Sequence, residues 1–479
     1  MKEYDLIIIG TGSAMNFVDM LIRDDPEIRI AVIDKDEPGG ICLTRGCIPT
    51  KILVHPADLV RTIGDAGRFG IDVELRGVDF RGVMERMHSM IREDTEMIRA
   101  GLSASPNIDY YADIARFTSP YTLEVGGETI RGRRIFLCTG SRPLVPDIDG
   151  LDRVRYHTSD TILEIDHRPR ELVIIGGGYI AAEFGHFFAA MGSKVTILGR
   201  NPQFLKMEEP EVSALAVREM SRYLRILTGH EVIRVERGLT GKIRVVARDL
   251  STGREVAVPA TDILVAVGRA PNTDLLRPER GGIETDERGW IVIDEHMRTS
   301  QPNVWAFGDA TGRHLFKHVA NHESVVAFVN AFMGQERTVD HHAVPHAVFT
   351  HPEIASVGLR EREAIEAYGE ENVLIGFQRY EDTAKGSAMG VRDMFVKVIL
   401  KADDHRILGA HIIGPQASVL IREIIDLMYT PDGSARPIFN AMYIHPALPE
   451  VVQRAFSALM PPAHYHHMLS HQHAQGGDN

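Results

Sequence analysis

Cys42 and Cys47 stand five positions apart in Gly39-Gly40-Ile41-Cys42-Leu43-Thr44-Arg45-Gly46-Cys47-Ile48-Pro49-Thr50-Lys51, and two sulfurs this close can exchange electrons or hold a metal. In a straight α-helix that spacing sets the Cα atoms about 8.7 Å apart, beyond the roughly 7 Å at which a disulfide closes. Bonding the pair therefore requires a break in the backbone, and Gly46 permits one. Zinc is the rival, but two sulfurs without an accompanying histidine or second cysteine pair make a poor tetrahedral site, and no metal site is expected. In a reducing compartment, beside a nucleotide fold, redox chemistry is the better use of such a pair. Cys138, in the apolar run Ile135–Cys138, reads as a buried core thiol.

A second reactive stretch lies near the C-terminus, in His445-Pro446-Ala447-Leu448-Pro449-Glu450. The proline biases His445 away from helix, and a helix then opens with Glu450 in its first turn. Such a histidine could serve as acid or base for a thiol, with Glu450 fixing its tautomer. Taken alone, a capped surface or core histidine is the plainer reading.

These groups need a scaffold, and the sequence repeats one. Asp5–Met15 and Glu171–Ala181 are two copies of an apolar strand that breaks at Gly-x-Gly into an amphipathic helix. Each continues to a second strand, Arg29–Asp34 and Lys194–Leu198, giving two βαβ units with parallel sheets and right-handed crossovers. Gly10 and Gly12 supply the tight turn and the close approach to a pyrophosphate, and Asp34 ends the second strand where a ribose hydroxyl is bound. Met15 replaces the expected third glycine or alanine, so looser helix packing is expected there. The second copy is regular, with Gly176, Gly178 and Ala181. Where an NAD site carries a carboxylate this copy has Gly199-Arg200, followed by Lys206, a pattern suited to a 2′-phosphate. NADPH is preferred and NADH remains possible; solvated surface cations are the plainer alternative.

With 479 residues the chain accommodates about three domains of ~150 residues. Its 44% apolar and 25% charged content is ordinary for globular proteins. A net charge of −13 disfavours nucleic acid and anionic membrane surfaces as partners. Met1–Asp5 runs directly into Leu6–Ile9, no window approaches 18 apolar residues, and three cysteines are too few for a secreted scaffold, so a cytoplasmic protein is expected. Strand alternation is expected over Lys242–Val258 and Ile263–Val267, with turn chemistry in the loop starting at Arg269. After Ala343, strands (Phe395–Leu400, Gly409–Ile413) alternate with helices (Ser418–Tyr429, Val451–Leu459), which suggests a third, α+β domain. Residues from His464 on, with five histidines, read as a frayed polar tail.

Together these residues resemble the class I flavoprotein disulfide reductases, the family of dihydrolipoamide dehydrogenase and glutathione reductase, over nearly the whole chain to about residue 460. Within it, His157-Thr158-Ser159-Asp160, Lys317–Glu323 and His445–Glu450 are most similar to the mycothione reductase branch. The resemblance implies an α/β fold with two Rossmann-like domains for FAD and NAD(P) and a C-terminal α+β dimerisation domain. The expected boundaries are 1–149 (FAD, first segment), 150–267 (NAD(P)), 268–342 (FAD/central), 343–465 (dimerisation) and 466–479 (flexible tail). It implies that Gly10, Gly12, Ser13 and Asp34 bind the ADP half of FAD. Thr139, Gly140 and Ser141 match a second FAD motif, and Gly308-Asp309 matches the one whose acid meets the ribityl chain. Gly268 and Arg269 fall in the connecting cofactor-side loop. Lys51 and Glu183 match an ion pair beside the flavin, and Tyr179 matches an aromatic gate over the nicotinamide pocket. His445 and Glu450 match a dyad that reaches the disulfide from the partner subunit, implying a homodimer. The implied activity is electron transfer from NADPH through FAD and a Cys42–Cys47 disulfide to a small disulfide substrate. The reverse, dihydrolipoamide oxidation with NAD⁺, and a non-catalytic electron-carrying subunit are the alternatives. Ile41, Thr44 and Arg45 depart from the family pattern and put a bulky apolar group and a cation beside the pair. No cysteine follows Cys138, which disfavours relatives with an added C-terminal cysteine pair.

Overall fold

The computed structural model describes residues 1–238 and 241–475. Both βαβ units are present, each at the centre of its own sheet. In the first, strand Lys2–Ile9 lies between Ile30–Ile33 and Glu128–Leu137, all parallel, with Ile108–Tyr111 outside and Val304–Ala306 returning from far along the chain to pair with Glu128–Leu137. A hairpin of Arg116–Ser119 and Thr122–Val125 extends the sheet antiparallel. Leu6 to Ile9 and Ile30 to Ile33 are buried throughout, as strands covered on both faces must be. The second sheet is all parallel, in the order Arg225–Leu227, Lys194–Leu198, Glu171–Ile175, Asp262–Val265, His157–Thr158. Three antiparallel strands, His230–Arg237, Ile243–Asp249 and Glu255–Ala260, pack beside it, the last two overlapping the expected alternation at 242–258 and ending two residues beyond it.

The two Gly-x-Gly turns are built alike. Gly10 has φ +108°, and a Cβ there would lie 2.1 Å from the Cys138 carbonyl oxygen; Gly176 has φ +133°, with the same 2.1 Å to the Ala266 oxygen. Only glycine lets the crossing strand pass so close. The helices of the two copies differ. Ala181 sits in an unbroken helix, Tyr179–Ala190, whereas the first copy opens as a 3-10 turn, Ser13–Phe17, before a short helix, Val18–Asp24.

From Pro345 on, a six-stranded antiparallel sheet carries helices Ala417–Met428 and Glu450–Ser457, as expected for the third, α+β part. One expectation is overturned. The stretch from His464, read as a flexible tail, is helical over Pro462–Gln475. Tyr465 is fully buried, its ring 5.6 Å from Phe377, and its hydroxyl donates to Glu211 Oε1 at 3.0 Å. His466 Nε2 lies 2.6 Å from Glu361 Oε1. One aromatic anchor and one buried carboxylate partner thus hold a segment whose composition is polar. Residues 476–479 lie outside the described residues.

Candidate functional site

The cysteine pair sits on a broken helix. Gly40–Arg45 ends at Gly46, which caps the long helix Cys47–Asp65. A Cβ on Gly46 would come within 2.7 Å of the Ile41 oxygen, so the residue that breaks the helix also lets the two segments close on one another. Cys42 and Cys47 are brought together across this break with no disulfide between them, and each acts on the other's ionisation. The effect is unequal. Accepting from Cys42 lowers Cys47 to about 6, with Lys51 adding to the effect against the cost of burial. Donating to Cys47, together with burial, pushes Cys42 well up.

Lys51, one helical turn beyond Cys47, reaches Glu183 Oε2 at 2.6 Å and joins the first unit to helix Tyr179–Ala190 of the second. Glu183 also accepts from the Phe349 N–H at 3.1 Å. Tyr179, at the start of that helix, stacks on His346 with centroids 5.3 Å apart, and Phe316 stacks against both rings, 6.4 Å from Tyr179 and 5.9 Å from His346. His346 is held by buried Glu208 at 2.8 Å. Burial, with Glu208 nearby, raises the Tyr179 phenol, so it stays neutral.

One continuous cleft of about 1720 Å³ joins these groups to both Gly-x-Gly turns. Gly10, Gly12, Ser13, Asp34, Thr139, Gly140, Gly176, Gly178, Gly268, Arg269, Gly308 and Asp309 line it, as do Arg200 and Lys206 at its other end. Ser141 and Ala181 stand behind the lining. Asp34 accepts from the Thr11 N–H at 2.9 Å and hydroxyl at 2.5 Å. Arg269 Nε donates to Ser141 Oγ at 2.5 Å, and that hydroxyl donates to Asp309 at 2.5 Å. Burial raises the Asp309 carboxyl against these partners. Arg200 is largely exposed, 4.0 Å from Glu231.

The cleft fits a dinucleotide. Nothing lies within 4 Å of where a Gly12 Cβ would stand, so the backbone there is open to a phosphate. Thr139 Oγ1 is buried without a protein partner, as a hydroxyl awaiting a ligand oxygen would be.

Cys138 packs against the core of the first unit, as read, but also borders this cleft and is only partly buried by area. Burial nevertheless raises it well above an ordinary thiol. Arg45 turns away from the pair, to Asp36 and to Asp160 at 3.1 Å, so the expected cation beside the sulfurs is spent elsewhere. His445 Nδ1 meets Glu450 Oε1 at 2.8 Å, and Glu450 Oε2 accepts from the Ala447 N–H at 2.9 Å. The His445 bond holds Glu450 below the usual carboxylate range. Yet the imidazole is 66% exposed and does not line the cleft.

The sequence reading assigned no role to Lys317, Glu323, Glu208 or His346. Glu323 Oε2 accepts the Gly308 N–H at 2.7 Å and fixes the Gly-Asp turn; burial raises it to about 7. Its signal was present in the Lys317–Glu323 motif, but its partner lies fifteen residues back.

Comparison with known proteins agrees with this geometry. Residues 4–330 match the family described as pyridine nucleotide-disulphide oxidoreductase, and 344–456 match the dimerisation domain of the same family. Mycothione reductase of Mycobacterium tuberculosis is 37% identical over 96% of this chain and 100% of its own length. Dihydrolipoyl dehydrogenase of Chlamydia pneumoniae is 33% identical, covering 97% and 99%. The solved HOCl-induced flavoprotein disulfide reductase RclA from Escherichia coli, as its Cu(II) complex, superposes with a TM-score of 0.84 at 27% identity over 95% of this chain and 99% of that one. Among the described residues no helix is long and apolar enough to cross a membrane. A paired-thiol hinge, two dinucleotide turns sharing one cleft and the two matching domains together place the chain in the FAD-dependent pyridine nucleotide-disulphide oxidoreductase family.

Proposed function

We propose that the protein is an NADPH-dependent reductase of a bulky low-molecular-weight disulfide, of the mycothione reductase type. The observation that carries this is geometric: Cys42 and Cys47 are brought together across the Gly46 break, Lys51 stands one turn beyond Cys47, and all three line the cleft that runs to both Gly-x-Gly turns. A thiolate stabilised next to Lys51 and a second sulfur available for exchange are what disulfide reduction needs. The 37% identity to a mycothione reductase over 96% of the chain supports the substrate class, and Arg200 with Lys206 in the cleft lining supports NADPH.

Gly10, Gly12, Ser13, Asp34, Thr139 and Asp309 would hold FAD, and Gly176, Gly178, Tyr179 and Arg200 would hold the nicotinamide nucleotide. FAD, when bound, relays an electron pair from the nicotinamide to the Cys42–Cys47 disulfide. In the exchange half, Cys42 gives its proton to a base and its thiolate attacks one substrate sulfur. The substrate S–S bond breaks and the first thiol leaves with a proton. Cys47 then attacks Cys42, closing the protein disulfide and expelling the second thiol, so the substrate gains the two electrons the pair loses. His445 is the base in this reading and comes from a second subunit. The exposed Met442 and Ile444 beside it are apolar surface suited to an interface. The expected setting is cytoplasmic.

Steady-state assay of the holoenzyme with NADPH and NADH against mycothiol, glutathione, coenzyme A and lipoamide disulfides tests this. NADPH with a bulky disulfide should be the best pair. NAD⁺ with dihydrolipoamide far exceeding it would reverse the direction.

A further inference from the structure

Two lysines flank the thiol pair, and only one is neutralised. Lys51 is bound to Glu183 at 2.6 Å. Lys317, the first residue of helix Lys317–Met333, is half-buried at the cleft wall, and among the described residues no carboxylate lies within 4.0 Å of its ammonium. Its Nζ donates to Ser13 Oγ at 2.9 Å, and Ser13 Oγ donates to Asn321 Oδ1 at 2.9 Å, one turn further along the same helix. This holds the ammonium at the Gly12–Ser13 turn, which lines the cleft. The helix that carries Cys42 packs on the same turn as Ser13, a Cβ on Gly40 falling 2.7 Å from Gly12 Cα, and Cys42, Cys47 and Cys138 line the cleft together with Lys317. Their sulfurs are the titratable groups that act on the ammonium, Cys42 most.

A desolvated cation without a counter-ion is costly, and a cation on the first turn of a helix is opposed by the helix dipole as well. Ammonium and helix N-terminus therefore combine into one positive locus with no permanent anion to answer it. Burial accordingly lowers Lys317 below an ordinary lysine, and the thiols oppose that shift. Cys138 is raised by its own burial and stays neutral, so it does not take up the charge. The anion that can appear here is a thiolate of the reduced pair.

We propose that Lys317 is the electrostatic partner of Cys42, a same-chain cation left without a carboxylate so that its charge meets the Cys42 thiolate when the pair is reduced. This rests on the reading above, in which Cys42 is the exchanging sulfur. The other groups bearing on Cys42 are Cys47, Lys51 with Glu183 behind it, and His445 of a second subunit. When Cys42 ionises, its proton passes to that imidazole or to water and the electron pair stays on sulfur. Lys317 keeps its proton, and no bond to it is made or broken.

The test is alkylation of the dithiothreitol-reduced holoenzyme by iodoacetamide across pH, read cysteine by cysteine by mass spectrometry. Lys317→Met should slow Cys42 alkylation about tenfold at neutral pH, equivalent to about one unit in its midpoint. Lys317→Arg should restore the wild-type profile, and Cys47 should move less. Lys317→Gln serves if the methionine variant folds poorly. A Cys42 profile superimposable on wild type overturns the proposal. So does a variant that leaves Cys42 unchanged and loses bound flavin, which would assign the ammonium to a cofactor phosphate at the Gly12–Ser13 turn. Because alkylation needs no turnover, this result is separable from failure of the functional reading, which would show as Cys42→Ser retaining disulfide reduction.

Discussion

Lys51 Nζ lies 2.6 Å from Glu183 Oε2 while also sitting 4.7 Å from the centre of the Phe349 ring, so the cation that acts on Cys47 is shared between a buried carboxylate and an aromatic face. Its pull on the Cys47 thiolate is real but partial, and Glu183 pulls the other way. The hydrogen bond from Cys42 is the larger contribution.

Alkylation of Cys47 in the reduced protein should therefore rise with a midpoint at about 6 and be complete in the thiolate sense by neutral pH. Above the midpoint the thiolate dominates; below it the protonated thiol is inert. Cys42→Ala should shift that midpoint up, since the donor is lost, and Lys51→Met should do the same because Glu183 is then unopposed. A midpoint near an ordinary thiol in the wild type would contradict the assignment.

The exposure of His445 leads to a subunit-mixing experiment. If the exchanging sulfur and its base come from different chains, co-refolded Cys42→Ser and His445→Gln subunits form mixed dimers with one intact site. An equal mixture should recover about a quarter of wild-type activity from two inactive parents. Recovery of none would place the dyad and the sulfur in one chain's site. His445→Gln alone should lower kcat/KM by about 10²–10⁴, the usual range for a lost general acid or base.

Away from the cleft, Lys397 is fully buried and its ammonium is held by Glu209 at 2.9 Å, Glu211 at 3.0 Å and Glu361 at 2.6 Å. The cluster ties the helix that starts at Pro210 to the antiparallel sheet and, through Tyr465 and His466, to the C-terminal helix. Lys397→Met strands three carboxylates and should destabilise the fold by about 3–5 kcal/mol in denaturant unfolding. Lys397 holds Glu211 below the ordinary carboxylate range against the cost of burial, so its contribution is present above that range and is lost as pH falls through it. A Met variant as stable as wild type at neutral pH would show that the ammonium is not what satisfies these carboxylates.

These cases show what a sequence discloses and what it withholds. The hinge at Gly46 and the His445–Glu450 contact were legible because each is closed within a few residues, and both Gly-x-Gly turns because the motif itself marks them, although the oxygens they clear, of Cys138 and Ala266, lie far along the chain. The Lys397 cluster spans partners 186 and 188 residues away, and the Glu208–His346 bond spans 138. Such contacts depend on how the sheets pack, and no local pattern announces them. The C-terminal helix was missed for the same reason: its polarity is real, but Tyr465 finds a buried site made by distant strands.

The central claim, that Cys42 and Cys47 form an electron-accepting pair working with the flavin, is tested most directly by anaerobic reductive titration of the oxidised holoenzyme, with free thiols counted before and after. Wild type should accept one more electron pair per subunit than Cys42→Ser or Cys47→Ser, and should gain two thiols in doing so. Equal uptake by wild type and both serine variants would contradict it.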